Sequence, residues 1–308
     1  MSSSQIESSS NQTKFTSTFQ RRFLVINGDD FGFSSGVNQA IVTAHQKGVL
    51  TSTSLMVTGD AFEEAVALAK ANPSLAVGLH LVVCCGRSVL PPSQIPHLVD
   101  EHGYFLEDPT KAGLRYQFNP AAVRELQLEI RAQLKKFRQT GLPLSHVDGH
   151  LHLHAHPVVL RHLVSIASEF GVRVIRLPYE EANFTLKIDQ NDFIGKQIGA
   201  FIFAQLRRNG ERLLQANQIQ FVDRVYGLLQ SQRITESYLL QLIPQIQANF
   251  VEIYSHPAIV RPGEPSNSPI GLGFAELEAL LSDRVRETIL QSGFELTNYA
   301  ELFDSPVR

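Results

Sequence analysis

Cysteines are scarce in this sequence. Its 308 residues include only two, Cys84 and Cys85, and these are adjacent. Adjacent cysteines suit neither a disulfide framework nor the spacing of zinc ligands. We interpret them as small, partly buried residues of a protein that folds in a reducing compartment, so the cytoplasm is the expected location.

The sequence also lacks long apolar runs and a strong charge of either sign. No segment reaches the roughly 18 consecutive apolar residues of a membrane-spanning helix. Residues 1–22 are rich in Ser, Gln and Thr without an apolar core of signal-peptide length, and we expect them to be disordered. The net charge of −3 provides no general basic field for nucleic acid. Peripheral contact with a membrane surface stays open.

Apolar residues are plentiful, at 43% of the chain, which excludes a disordered protein. Chains of this length commonly fold as one α/β barrel around a single core. We therefore expect a single domain over residues 23–308.

Strand-like and helix-like segments alternate beyond residue 22. The predicted strands are FLVIN, TSTSLMV, LAVGLHLVV, LSHVDGHLH with its exit loop, VRVIRLP, VEIYSHP and FELTN. Amphipathic segments between them read as helices, including a long one opened by Asn119 and Pro120 and a closing one, AELEALLSDRVRETILQ. Repeated βα alternation implies a parallel sheet covered by helices, and the number of units favours a closed or distorted (β/α) barrel.

This alternation is interrupted between about residues 180 and 245. The segment from Ile198 to Gln232 is predicted to be helical and carries several Phe and Leu residues beside arginines. Such an insertion on a barrel builds a lid or substrate wall, packs as an ordinary helical pair, or offers an apolar, basic surface to a membrane or lipid-like substrate. The sequence leaves these three alternatives open.

Polar residues recur where the predicted strands end. They are Asp29 and Asp30, His80, His150, Arg176 and His256. The C-terminal ends of parallel strands converge on one mouth of a barrel, so these residues are expected to meet. Two adjacent carboxylates raise each other's pKa unless a cation lies beside them, and nearby imidazoles are typical ligands of a divalent metal. The pair makes sense if one aspartate binds a metal and the other handles a proton.

The cluster HVDGHLHLHAHP contains five histidines that compete for one or two roles. His150, taken with Asp30 and His80, is the predicted metal ligand. Asp148 is expected to orient a ligand, and His146 and His152 are candidates for a supporting or pocket-lining role.

Several stretches together resemble the YdjC family of carbohydrate deacetylases, in order and spacing: NGDDFGFSSGVNQAI, TSTSLMV, VGLHL, HVDGHLHLHAHP and YSHP. The resemblance covers nearly everything from residue 23 to the C terminus. Other segments, including LVVCCGRSVLPPSQIPHLVD and the aromatic NP motif near Phe118, resemble the branch associated with hopanoid biosynthesis.

The resemblance implies a distorted (β/α) barrel of the polysaccharide-deacetylase type, which removes N-acetyl groups from amino sugars with one divalent metal ion. Asp30, His80 and His150 correspond to the metal ligands. Asp29 corresponds to the catalytic base and His256 to the catalytic acid, and Arg176 resembles the arginine that orients the base. Magnesium or zinc is the expected ion, with manganese and cobalt as alternatives.

The expected substrate is a glucosaminyl hopanoid lipid, with chitooligosaccharides as the alternative.

Two departures from the family are Gly28, where Ala is frequent, and Ser231–Gln232, where the branch usually carries Ser-Gly. The Ser231–Gln232 departure puts the conformation of the lid in doubt.

The alternative functions are a metal-dependent sugar isomerase or phosphoesterase, a non-haem iron oxygenase, and a non-catalytic carbohydrate- or lipid-binding module. The oligomeric state is not readable from the sequence.

Overall fold

The computed structural model describes residues 21–267, 269 and 271–304. Seven strands are present in this part of the chain: β1 (Arg22–Phe31), β2 (Ser52–Leu55), β3 (Ala76–Leu81), β4 (Val147–Gly149), β5 (Arg224–Tyr226), β6 (Phe250–Ser255) and β7 (Phe294–Thr297). The N-terminal segment expected to be disordered spans residues 1–22. Residues 1–20 of it lie outside the described residues, where the expectation stays a prediction, and Arg22 is already the first residue of β1.

Helices follow most of the strands, as the alternating pattern predicts. They are α1 (Ser35–Lys47), α2 (Phe62–Ala71), α3 (Pro109–Phe118), α4 (Pro120–Gln139), α5 (Pro157–Phe170), α6 (Ala182–Ile188), α7 (Phe193–Ala216), α8 (Glu236–Leu242), α9 (Leu272–Leu281), α10 (Asp283–Gln291) and α11 (Tyr299–Asp304). Short 3₁₀ segments cover His150–Ala155 and Ile243–Gln245. None of the helices in the described ranges combines the length and apolarity that crossing a bilayer demands.

All strand pairs of the sheet are parallel. The order is β4-β3-β2-β1-β6-β5, with β7 paired to the first residues of β1. Between the outer strands β4 and β5 the described residues form only isolated parallel bridges, from Val147 of β4 to Ile175 and from Val174 to Gln220, which precedes β5. The sheet therefore curls into an incompletely closed barrel, and the predicted distorted (β/α) barrel is confirmed.

Alternation along the strands points one set of side chains into the barrel and the other toward the helices. Val25 joins an apolar layer with Val174, Val222 and Val225 inside the barrel. Asn27 and Asp29 follow at every second position of β1 and are also buried. The barrel interior thus changes from apolar to polar toward the C-terminal ends of the strands.

Three predicted elements differ from the structure. The predicted strand VRVIRLP makes only isolated bridges, because its neighbour β4 is three residues long and offers few backbone partners. The predicted C-terminal helix is two helices that break at Ser282, whose side chain accepts a hydrogen bond from the backbone N–H of Val285 and so caps α10. The insertion predicted to be helical to Gln232 leaves its helix at Ala216 and contributes strand β5.

Candidate active site

A cavity of about 210 Å³ opens at the C-terminal ends of the barrel strands. It is lined by six of the residues that the sequence predicts for the site: Asp29, Asp30, His80, His150, His152 and His256. Arg176, Asp148 and His146 lie behind this layer in the barrel interior. A larger cavity, of about 630 Å³, contains none of the predicted catalytic or metal-binding residues.

Asp30, His80 and His150 offer one ligand atom each, and these atoms lie within 4.8 Å of one another. Oδ1 of Asp30 lies 3.2 Å from Nε2 of His80 and 3.1 Å from Nδ1 of His150. Asp30 has a φ of +67°, a left-handed conformation that is uncommon outside glycine and that proteins retain mainly at functional sites. Its Oδ2 accepts a hydrogen bond of 3.0 Å from Nδ2 of Asn267.

His80 is held between two carboxylates. Parallel pairing of β3 with β4 places it directly beside Asp148, and its Nδ1 lies 2.8 Å from Oδ1 of that residue. Burial alone would lower the pKa of His80, but Asp148 and Asp30 outweigh it and raise the pKa to about 10. With Nδ1 engaged by Asp148, Nε2 is the nitrogen that faces Asp30. A carboxylate behind a metal-binding histidine fixes the ring and its tautomer in this way.

This donor set fits a divalent cation. One carboxylate and two imidazoles suit zinc, and the ligand set leaves positions for water and substrate. Burial alone would raise the pKa of Asp30, but His150 and His80 hold it well below its usual range. Four buried carboxylates surround the site, Asp29, Asp30, Asp148 and Glu252, and they outnumber the two cationic groups there, the guanidinium of Arg176 and the imidazole of His80. A cation beside Asp30 would balance that excess of negative charge.

Arg176 is fully buried and contacts three carboxylates. Its two terminal nitrogens each donate to Asp29 at 2.7 Å, one to each carboxylate oxygen. The same side chain contacts Asp148 at 2.8 Å and Glu252 at 2.5 Å. Burial alone would lower the pKa of Arg176, but these carboxylates raise it well above its usual value. The guanidinium therefore stays charged and holds Asp29 in one orientation at the cavity wall.

His256 lines the cavity and directly follows β6. Its backbone N–H donates to Oε2 of Glu276 at 2.5 Å, and Oε1 of the same carboxylate accepts from the backbone of Ile234. The imidazole packs edge-on against Tyr254, with ring centroids 5.6 Å apart. Glu276 thus joins α9 to two loops and fixes the backbone that carries His256.

The remaining histidines of the cluster have different surroundings. His152 lines the cavity, and its Nε2 lies 2.9 Å from the hydroxyl of Tyr254. His146 is buried inside the barrel, where Gly78 makes room for it: a Cβ at Gly78 would lie 2.4 Å from Cε1 of the ring. His154 is also buried, and its Nε2 lies 2.9 Å from the carbonyl oxygen of Arg176. The predicted regular strand ends at Gly149, so the histidines no longer share one face.

Five residues of the site were missed by the sequence reasoning, which are Asn27, Glu252, Tyr254, Asn267 and Glu276. Glu252 and Tyr254 precede His256 at intervals of two in β6, and Asn27 precedes Asp29 in the same way, so strand alternation could have found all three. Asn27 donates to Oδ1 of Asp29 at 2.8 Å. Asn267, in contrast, lies in a loop far along the chain, and no sequence pattern connects it with Asp30.

Gln232 adopts a φ of +63°, in the left-handed region that favours glycine. The sequence departs from the expected Ser-Gly pair at this position, and the backbone nevertheless takes the conformation that a glycine would suit. The Gln232 side chain donates to the carbonyl oxygen of Asn267 at 3.0 Å. This contact ties the insertion to the loop that supports Asp30.

Glu180 is a buried carboxyl at the start of the insertion. Its Oε2 accepts hydrogen bonds from the backbone N–H groups of Gly227, at 2.8 Å, and Leu228, at 3.1 Å. Its Oε1 accepts one from Thr185. Burial raises the pKa of Glu180 to about 7 despite these hydrogen bonds. The carboxyl therefore fixes the backbone of a cavity wall and titrates near neutral pH.

Replacing Glu180 by Gln is expected to make the protein more stable than the parent at higher pH. At pH values between the ordinary pKa of a glutamate, about 4.5, and the pKa of Glu180 in the folded protein, about 7, the folded protein holds a proton that the unfolded chain has released. The free energy of unfolding therefore falls as pH rises through this window, by about 2–3 kcal/mol for this group. Glu180→Gln removes that loss. The free energy of unfolding of both proteins would be measured in urea at about pH 5 and pH 8. Relative to the parent, the variant should be more stable at pH 8 than it is at pH 5.

Glu278→Gln is the matched control, because Glu278 is exposed on α9. Its stability difference from the parent should not change between the two pH values. A flat difference for Glu180→Gln as well would show that Glu180 keeps an ordinary pKa in the folded protein.

Comparison with known proteins gives consistent matches over most of the chain. Residues 23–291 match a family model described as YdjC-like protein. A carbohydrate deacetylase of Vibrio cholerae serotype O1 is 32% identical over 291 residues, covering 92% of this chain and 98% of that protein. A carbohydrate deacetylase of Brevibacillus brevis is 45% identical over 156 residues, covering 51% of this chain and 59% of that protein, which is less than two thirds of its length.

A solved structure is similar over the same range. It is a candidate cellobiose-phosphate cleavage protein from Enterococcus faecalis V583, with a TM-score of 0.70 and 26% identity. The superposition covers 92% of this chain and 99% of that one. The overall fold of this chain is therefore found in a crystal structure.

Proposed function

The chain belongs to the YdjC-like protein family, and from that premise we propose that it is a metal-dependent carbohydrate deacetylase. It would hydrolyse the N-acetyl group of an amino sugar and release acetate. The observation that carries this proposal is one small cavity in which Asp30, His80 and His150 converge while Asp29 and His256 face the same space. Relatives named as carbohydrate deacetylases support the reaction class.

Asp30, His80 and His150 would hold the ion, with magnesium or zinc proposed first and manganese or cobalt as alternatives. When bound there, a divalent ion would supply Lewis-acid chemistry: it would polarise the acetamide carbonyl and lower the pKa of water, so that water would be a nucleophile near neutral pH. Asp148 keeps His80 oriented through its hydrogen bond to Nδ1.

The other residues move protons. Asp29 would accept the proton of the attacking water, because its carboxylate lines the cavity and is held by Arg176 on both oxygens. His256 would donate a proton to the departing amine nitrogen, which yields the free amino sugar and acetate. Tyr254, against which the His256 ring packs, restricts the orientation of that imidazole.

For the substrate we propose a glucosaminyl hopanoid lipid. The resemblance of the linking segments to the hopanoid-associated branch supports it, and so does α7. One side of this insertion helix exposes five large apolar residues, which are Phe193, Ile194, Ile198, Phe201 and Ile202. Such a face suits a lipid tail or the surface of a membrane on which that lipid resides.

Acetate release tests the proposal directly. Metal-stripped and metal-restored protein would be incubated with an N-acetylglucosaminyl hopanoid and, separately, with chitobiose. Release that requires metal is the expected result with the hopanoid. Release from chitobiose alone would keep the deacetylase reaction and overturn the lipid substrate. Release from neither compound by metal-loaded protein would contradict the reaction and favour an isomerase or a binding module.

A further inference from the structure

We propose that the outer side of α7 docks onto the surface of an anionic lipid bilayer and holds the mouth of the catalytic cavity next to it. This inference rests on the proposed function, because it names the partner that presents a lipid-linked substrate to that site. It assigns the surface that meets the bilayer and the charge of the lipids in it.

An apolar stripe runs along the outer side of α7. Its central residues are Ile194, Ile198 and Phe201, which follow one another at intervals of four and three and therefore share one helix face. They are 71%, 56% and 65% exposed, and Phe193 and Ile202 flank them and are exposed as well. An apolar surface of this extent typically marks contact with a partner outside the chain.

The opposite side of α7 is fixed to the barrel. The buried guanidinium of Arg207 donates to the carbonyl oxygens of Leu177, at 2.8 Å, and Val222, at 3.1 Å. Phe203 contacts His152 of the catalytic cavity edge-on, with ring centroids 5.7 Å apart. One side of the helix is thus anchored beside the catalytic cavity while the apolar stripe on the other side stays exposed.

The apolar stripe continues into basic residues toward the end of α7. Arg208 and Arg212 follow Phe201 by seven and eleven positions, which places them on the same helix face, and both are exposed. In a helix that lies in a membrane interface, apolar side chains enter the acyl region and arginines reach the lipid phosphates. Arginines beside apolar residues therefore favour an anionic bilayer over an apolar protein surface.

The carboxylates near this face already have partners. Glu211 pairs with Nε of the buried Arg207 at 2.5 Å. Asp189 pairs with the Lys196 ammonium at 3.1 Å, and the carboxylate of Asp192 caps the first turn of α7. Because these acidic groups are engaged within the insertion, they offset the attraction of the two arginines to anionic lipids less than free carboxylates would.

A further exposed apolar residue lies at the catalytic cavity itself. Leu151 lines this cavity and is 50% exposed. It directly precedes His152, the residue that contacts Phe203 of α7. The tail of a bound lipid can therefore remain on apolar surface while its head group occupies the cavity.

Co-sedimentation with lipid vesicles tests the docking surface. Metal-loaded protein would be mixed with vesicles of phosphatidylcholine alone and with vesicles of equal parts phosphatidylcholine and phosphatidylglycerol. The parent should bind the mixed vesicles, and more weakly at high salt, because salt screens the attraction between arginines and anionic head groups. A chain with both Ile198→Ser and Phe201→Ser should bind them about tenfold more weakly or less, since two large apolar side chains no longer enter the bilayer.

Leu290→Ser is the matched control, because Leu290 is an exposed apolar residue of α10, outside the insertion. It should leave vesicle binding unchanged. A chain with both Arg208→Gln and Arg212→Gln should lose the preference for mixed vesicles. The substituted side chains are exposed, so stability should change little, and a thermal unfolding scan checks this.

A second copy of the chain is the competing occupant of the apolar stripe. Analytical ultracentrifugation of the parent and of the Ile198→Ser, Phe201→Ser chain tests for it. A dimer that these substitutions dissociate, together with no vesicle binding by the parent, would overturn the membrane surface. Equal vesicle binding by the parent and the doubly substituted chain would overturn it too.

Vesicle binding is measured without substrate and does not depend on the reaction. Acetate release by the parent is recorded separately, with an N-acetylglucosaminyl hopanoid in the same mixed vesicles. Binding that requires the apolar stripe, without acetate release, would support the docking surface and contradict the deacetylase. Acetate release without vesicle binding would support the deacetylase and overturn the docking surface.

Discussion

Asp29→Asn is expected to lower turnover by about 10³-fold while leaving the bound metal in place. General-base catalysis is typically worth about 10²–10⁴-fold, and an amide cannot accept the proton of water. Asp29 is not among the three converging ligands, so the ligand group of Asp30, His80 and His150 remains intact. Turnover of an N-acetyl amino sugar and metal content measured by mass spectrometry would be compared on the same preparation.

The variant should still fold. Arg176 loses one acceptor when Asp29 becomes an amide but keeps its contacts to Asp148 and Glu252. A thermal unfolding scan checks this. Asp60→Asn serves as the matched control, because this aspartate is exposed on the loop between β2 and α2. If Asp29→Asn retains activity within tenfold of Asp60→Asn, another residue must accept the proton.

His150→Ala is expected to lose the metal and, with it, nearly all activity. Loss of a partner behind a ligand typically costs about 10–100-fold in metal affinity, and loss of a direct ligand should cost more. The His150 side chain is 16% exposed and lies at the cavity edge, so its removal leaves only a small void. Metal content after dialysis, with the ion restored at known concentration, provides the measurement.

His152→Ala is the control for this prediction. His152 comes from the same 3₁₀ segment and lines the same cavity, but its Nε2 faces the hydroxyl of Tyr254 and not Asp30. It should therefore retain the metal. Metal lost from His152→Ala and retained by His150→Ala would reverse the ligand assignment.

Local signals in the sequence identified most of the elements that carry the site. The Asn119–Pro120 pair begins α4 as predicted, since the Asn119 side chain accepts from the backbone N–H groups of Ala121 and Ala122. The same signal precedes α3, which is not among the predicted helices: Asp108 stands before Pro109 and caps the helix. The break at Ser282 has a weaker signal, because a serine inside an amphipathic pattern reads equally well as a surface residue of one continuous helix.

By itself, the sequence determined the parallel barrel, because the periodicity of strands and helices is a local property of the chain. It also determined the convergence of five residues, because the C-terminal ends of parallel strands lie at one edge of the sheet. These residues are Asp29, Asp30, His80, His150 and His256. The partners that complete the site depended on tertiary structure. Glu276 fixes the backbone of His256, and Asn267 holds Asp30, each from another helix or loop of the chain. Only the closure of the barrel brings these groups together. Burial then requires each charge to find a partner, and no local pattern says which one it will be.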